Sequence, residues 1–177
     1  MKKITTIITI LLFIVMAFSL SVDAWNPTLD NAHYMVRGST TNIESLQFKL
    51  GFGFDRFNSF DTLFAYNGDN FDLQGTWLLN FTSDQEIDMN LRLNASTKLA
   101  ERRIRPAIGV GGELPLGDRN YTFWSIDYYF NVDSNNLVYE AGVGFPITTN
   151  SDLTLGFGNS PWDRDSSTVG IGLKVGF

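Results

Sequence analysis

Strict two-residue alternation of apolar and polar side chains constrains this chain more than any other feature. From Ser45 to Phe54 the even positions Leu46, Phe48, Leu50, Phe52 and Phe54 are apolar, and the odd positions Ser45, Gln47, Lys49, Gly51 and Gly53 are polar or glycine. Phe71, Leu73, Trp77, Leu79 and Phe81 form one face of the next such run; Asp72, Gln74, Thr76 and Asn80 form the other. Ile87, Met89, Leu91 and Leu93 alternate with Asp88, Asn90, Arg92 and Asn94, and Val169, Ile171, Leu173, Val175 and Phe177 alternate with glycines and Lys174. A period of two is the signature of strands with two chemically different faces, and no helical period of 3.6 fits these runs.

Ten such segments follow one another, at about 32–40, 45–54, 60–67, 71–82, 86–99, 103–116, 120–132, 136–148, 152–159 and 168–177. Turn-forming clusters separate them, among them Asn67-Gly68-Asp69-Asn70, Ser83-Asp84-Gln85, Gly117-Asp118-Arg119-Asn120 and Asp133-Ser134-Asn135-Asn136. Short connections imply antiparallel neighbours, and a long meander leaves two unpaired edges unless it closes. The expected fold is therefore all-β, an antiparallel up-and-down barrel of about ten strands; eight remain if the first and ninth fail to form. Before it, residues 1–24 read as a signal peptide: Lys2 and Lys3, an apolar stretch from Ile4 to Leu20, and Val22-Asp23-Ala24 at the cleavage site. The barrel would then occupy residues 25–177.

The two faces can be assigned in two ways. An outer-membrane barrel turns its apolar stripe to lipid; a soluble periplasmic, lipocalin-like barrel turns it inward around a lipid or another apolar ligand. Three features favour the first. The polar stripe is rich in Gly, Asn, Ser and Asp rather than in the Lys and Glu of a solvated exterior. With both termini on the periplasmic side, Phe54, Phe60, Phe81, Trp124, Phe145 and Phe177 fall near one rim, and Tyr66, Phe71, Phe130, Tyr139 and Phe157 near the other. Aromatic side chains gather at such interfaces. Finally, ~10 residues at ~3.3 Å each and tilted ~40° span ~25 Å, the height of an outer-membrane apolar band.

The terminal strand ending in Phe177 resembles the C-terminal signature of Gram-negative outer-membrane barrels, and that resemblance implies recognition of Phe177 by the barrel-assembly machinery. The stretch Trp124-Ser125-Ile126-Asp127-Tyr128-Tyr129, with Glu140-Ala141-Gly142-Val143-Gly144 after an Asp/Ser/Asn turn, is similar to the YfaZ-type barrels. The architecture also resembles the small OmpA-like and opacity-type proteins. The expected location is the outer membrane, with lipid and lipopolysaccharide as surroundings and a monomeric state.

On this orientation the lumen receives Lys49, Asp61, Asp72, Asp88, Arg92, Arg105, Glu113, Asp127, Glu140 and Lys174 as an ion-pair network, together with Tyr129. Buried charges of both signs must be paired or hydrated. Tight turns would align Arg92, Gly109, Asp127 and Gly142 in one row, set Tyr129 beside Glu140 and Ser125 opposite Gly144, and stack Tyr121 and Phe123 over glycines. Such a lumen is either a polar plug with a structural role or a narrow passive pore for small solutes, with an acidic excess that favours cations.

Other chemistry is thinly represented. The chain has no cysteine, which excludes disulfide scaffolds and thiol catalysis, and its net charge of −6 disfavours a nucleic-acid partner. His33 is the sole histidine and reads as a rim residue, with no serine and carboxylate spaced to join it, so no enzymatic activity is expected. Gly109-Val110-Gly111-Gly112 runs on into more strand rather than a helix, so the physics of a phosphate loop is missing. The loop Asp163-Arg164-Asp165-Ser166 offers oxygens for Ca²⁺ or for bridging lipopolysaccharide, without an EF-hand pattern. No cofactor or metal is expected.

Overall fold

The computed structural model describes residues 28–38, 43–68, 70–81, 87–101, 103–117, 119–130, 135–162 and 167–177. The expected signal peptide and the Asp163–Ser166 loop lie outside the described residues. Ten strands run in chain order: β1 (Thr28–Gly38), β2 (Ile43–Asp55), β3 (Asn58–Tyr66), β4 (Phe71–Asn80), β5 (Asp88–Lys98), β6 (Ile104–Leu116), β7 (Asn120–Tyr129), β8 (Leu137–Pro146), β9 (Ser151–Gly158) and β10 (Thr168–Gly176). Each pairs antiparallel with its sequence neighbours, and β1 closes on β10 from Asn31 opposite Gly176 to Gly38 opposite Val169. The eight-strand option is thereby removed, because the first and ninth strands each carry a complete ladder on both sides. Among the described residues no helix is long and apolar enough to cross a membrane.

Both ends of the chain's described part lie at one rim, here the turn rim, with the β2–β3, β4–β5, β6–β7 and β8–β9 connections. At the β2–β3 turn, Asp55 accepts hydrogen bonds from the backbone N–H groups of Phe57 (2.7 Å) and Asn58 (2.9 Å). Gly117 opens the β6–β7 turn with φ at 74°, a conformation that L side chains rarely adopt. The opposite, far rim carries the other five connections, of which 159–167 is the longest.

Alternation decides what each face meets. Leu46, Leu93, Ile108, Ile126, Leu155, Ile171 and Leu173 point outward and are exposed. The buried hydrophobic side chains among the described residues are only Met35, Ala65, Ala107, Tyr129 and Val138, whereas Gln47, Asp61, Asp72, Gln74, Thr76, Asn94, Ser125, Asp127 and Thr154 are all buried. The outward aromatics contact one another in two bands. Phe54 stacks on Trp77 (5.2 Å between centroids), which also meets Phe60 near the turn rim. Toward the far rim Tyr66 meets Phe71 (4.8 Å), Tyr128 meets Phe130 and Tyr139 meets Phe157.

One register differs from expectation. Across β7–β8, Tyr121 pairs with Gly144, Phe123 with Gly142, Ser125 with Glu140 and Asp127 with Val138. Gly142 is therefore not in the Arg92–Gly109–Asp127 row, Tyr129 is not beside Glu140, and Ser125 does not face Gly144; all three expectations are four residues off. The expected turn centred on Ser134-Asn135, but the ladder continues to a hydrogen bond from Tyr129 N–H to Asn136 O (2.8 Å), so the reversal falls earlier. Ring packing favours this register, because the Phe123 and Tyr121 rings occupy the space that a Cβ would take at Gly142 and Gly144.

Gly142→Ala should therefore destabilise the barrel by about 1–3 kcal/mol, since its methyl would overlap the Phe123 ring and the Leu155 carbonyl. Gly156→Ala places its Cβ at an ordinary 3.4 Å from Phe123 and should leave stability unchanged or slightly raised. Urea-unfolding midpoints of the two purified variants provide the measurement, and equal midpoints would contradict the packing described.

Candidate functional site

The barrel interior is the one place where polar chemistry converges. All ten residues of the expected network lie on the inward stripe, but they form separate groups at different heights rather than one network. In the turn-side half, Lys49 pairs with Asp61 at 3.2 Å and Lys174 with Glu113 at 2.8 Å. The Lys174 ammonium also sits 5.0 Å from the Tyr121 ring centroid, and the Tyr121 hydroxyl donates to Asp152 at 3.0 Å. Asp88, directly opposite Glu113 across β5–β6, is exposed at the mouth.

Midway along the axis, Arg92 Nε donates to Asp127 Oδ1 at 3.0 Å, reaching across Gly109, where a Cβ would overlap that carboxylate. Asn94 donates to the same oxygen at 2.8 Å, and its own carbonyl accepts from the Thr76 hydroxyl (2.6 Å) and from Gln74 (3.1 Å). A hydrogen-bonded chain thus links β4, β5 and β7 across the wall. Opposite it, Arg37 pairs with Glu140 through Nη2 and donates from Nε to Gln47 at 2.9 Å. Near the far rim, Arg105 and Lys98 (3.4 Å) both engage Glu101. Asp72 enters no ion pair among the described residues.

Two residues were misjudged or missed at the level of sequence. His33 is not at the rim: it lies in the turn-side half of the lumen, between Lys49 and Lys174 on the neighbouring strands, with Nε2 2.7 Å from the Thr154 hydroxyl. The first strand starts at Thr28, so His33 is its sixth residue rather than its second. Arg37 was absent from the expected lumen set because Met35, an apolar residue on the inward stripe of β1, blurs the alternation there. The outward Tyr34 and Val36, which pair with Phe48 and Leu46, are the signal that fixes its phase.

Among the described residues, three cavities lie in file along the axis. The turn-side one is about 360 Å³ and opens among Asp30, Asp55 and Arg56; a middle one of about 70 Å³ shares His33, Lys49, Ser125 and Glu140 with it. A far one of about 90 Å³ shares Arg37 and Ser160 with the middle. The far cavity is bordered by the start of the β9–β10 connection, which bends inward to bury Asn159 and Pro161. Asn159 holds this bend by continuing the ladder with its side chain. Its Oδ1 accepts from Tyr139 N–H (2.8 Å) and its Nδ2 donates to Leu137 O (3.0 Å), beyond the end of β9.

Neither a family model nor a curated relative matches this sequence. Its fold is similar to that of solved barrels. The KdgM porin superposes with a TM-score of 0.56 over 83% of this chain and 99% of its own, at 6% identity. A de novo designed transmembrane β-barrel gives 0.45 over 86% and 98%, at 12% identity. A triple mutant of the Rhodopseudomonas blastica porin gives 0.43 over 90% of this chain and 57% of its own, at 11% identity.

Removal of Arg92 leaves the Asp127 side chain, 3% exposed, buried with an uncompensated charge. Arg92→Ala should therefore cost about 3–5 kcal/mol of unfolding free energy. Lys49→Ala should cost less than Arg92→Ala, because the Lys49 side chain is 36% exposed and the carboxylate it leaves behind, Asp61, is 12% exposed against 3% for Asp127. Chemical denaturation of both variants would decide, and a larger loss for Lys49→Ala would overturn the ranking.

Proposed function

We propose that the protein is an integral outer-membrane β-barrel whose lumen is a narrow, passive pore for small solutes. The observation that carries this reading is inverted burial: charged and amide side chains fill the interior while large apolar side chains cover the exterior. In water such a surface would aggregate, whereas in a bilayer the apolar exterior is matched by lipid and the closed ladder leaves no unpaired backbone edge. The two aromatic bands support interfacial anchoring at each rim. The exposed Phe177 after the terminal strand supports the same assignment. On this reading the exterior partners are outer-membrane lipid and lipopolysaccharide, assembly proceeds through the barrel-assembly machinery, and the barrel works as a monomer. The soluble lipocalin-like alternative requires an apolar cavity, and the polar cavity walls count against it.

Passage is the activity that a closed, polar-lined barrel offers, and the structural neighbour described as a porin has the same architecture. The file of cavities supplies a route, and the Arg37–Glu140 and Arg92–Asp127 pairs border its narrow middle. The turn-side cavity is bordered by six carboxylates (Asp30, Asp55, Asp61, Asp88, Glu113 and Glu140) and four basic groups (Lys49, Arg56, Arg92 and Lys174). Such an acidic excess favours cations.

Two measurements test the proposal. Carbonate extraction of cell envelopes should leave the protein in the membrane pellet; release into the soluble fraction would sink the location. In planar bilayers the purified protein should give small discrete steps with a cation-selective reversal potential, and Arg37→Ala should raise the step size severalfold by opening the middle. A silent bilayer at all voltages would leave a structural plug in place of the pore.

A further inference from the structure

The far cavity differs from the others in the state of its polar groups. Among the described residues, no group lies within hydrogen-bond distance of either carboxylate oxygen of Asp72, which is 2% exposed. Lys98, its opposite neighbour on β5, is taken up by Glu101, which also holds Arg105. Arg37, 5% exposed, spends Nε and Nη2 on Gln47 and Glu140 and leaves Nη1 buried without an acceptor among the described residues. The same holds for the buried indole N–H of Trp162. Asp72, Arg37 and Trp162 all border the same cavity of about 90 Å³. One small chamber is therefore lined by three residues that together carry two uncommitted acceptor oxygens and two uncommitted donors, one of them a guanidinium, with the exposed Glu44 also on its wall. Buried polar groups of this kind are costly unless something satisfies them.

A lone cation would answer Asp72 and leave the donors unmet; a lone anion would do the reverse. A molecule with both an ammonium and a carboxylate answers all four atoms and carries no net charge into the barrel. At about 10–15 Å³ of such space per water-sized atom, the chamber holds a solute of at most roughly six to nine heavy atoms, a limit that glycine and alanine both meet. We propose that the far chamber is a binding site for a small zwitterion, an α-amino acid of the size of glycine or alanine. The carboxylate meets Arg37 Nη1 and Trp162 Nε1, and the ammonium meets Asp72. The chamber lies in the proposed route, so this inference rests on the pore reading for its physiological sense but not for binding itself.

The test is calorimetric titration of the detergent-folded barrel with glycine, alanine, acetate and methylammonium, with folding checked by heat-modifiable gel migration. Glycine and alanine should bind saturably, and acetate and methylammonium at least about tenfold more weakly, a difference of about 1.4 kcal/mol. Asp72→Asn should weaken glycine binding by at least about tenfold while leaving acetate binding unchanged. Trp162→Phe, outside the strands, should weaken glycine severalfold and serves if the Asp72 variant fails to fold. Equal affinity for acetate or methylammonium, unchanged glycine binding in both variants, or no saturable glycine binding (the result if the chamber holds only water) would each overturn the site. Glycine binding by a barrel that conducts nothing would sink the pore reading alone, and conductance without glycine binding would sink this one alone.

Discussion

Closure of the hydrogen-bonded ladder between β1 and β10 is the constraint on which everything else depends. With ten strands paired on both sides, no backbone edge is left for water or another chain, and the wall becomes a continuous cylinder. Side chains then have only two destinations, and alternation sends every second residue to each. Because the outward set is apolar, the charged set is forced into a space whose dimensions the wall already fixes. The interior is thus held together by polar pairing instead of the hydrophobic packing of ordinary domains, and among the described residues the buried apolar cluster is small: Ala107, Tyr129 and Val138.

Such an interior has its own packing rule. Where a long side chain must cross the wall, the adjacent strand supplies glycine: Gly109 beside the Arg92–Asp127 bond, Gly142 and Gly144 beneath Phe123 and Tyr121. Glycine is a poor strand former in isolation. Here its lost propensity is offset by a ring or an ion pair filling the vacated volume. The same logic explains how acids and bases coexist in the lumen: most of the interior carboxylates meet a cation or a hydroxyl from a strand other than their own.

Fold class was legible because period-two patterning is a purely local signal, repeated ten times. Which strands exist, and which face holds Asp61, Arg92 or Asp127, follow from it directly. Register is not local. The β7–β8 offset was set by where the chain reverses between Tyr129 and Asn136 and by rings seated on Gly142 and Gly144, and an Asp/Ser/Asn run does not say which of its residues makes the reversal. His33 and Arg37 were obscured for a related reason: Met35 interrupts the alternation of β1, so the strand's start and phase become readable only through its partners Phe48 and Leu46. The far chamber was invisible altogether, since Arg37, Asp72 and Trp162 come from three distant parts of the chain.

Asn159 carries a consequence for the protein's behaviour outside its barrel. Beyond the last residue of β9, β8 runs on, and the Tyr139 N–H and Leu137 carbonyl would otherwise stand free on one flank. The amide of Asn159 imitates a peptide unit and occupies both of them. A single side chain thereby blunts a short sticky margin of the kind that templates β-augmentation by a foreign segment.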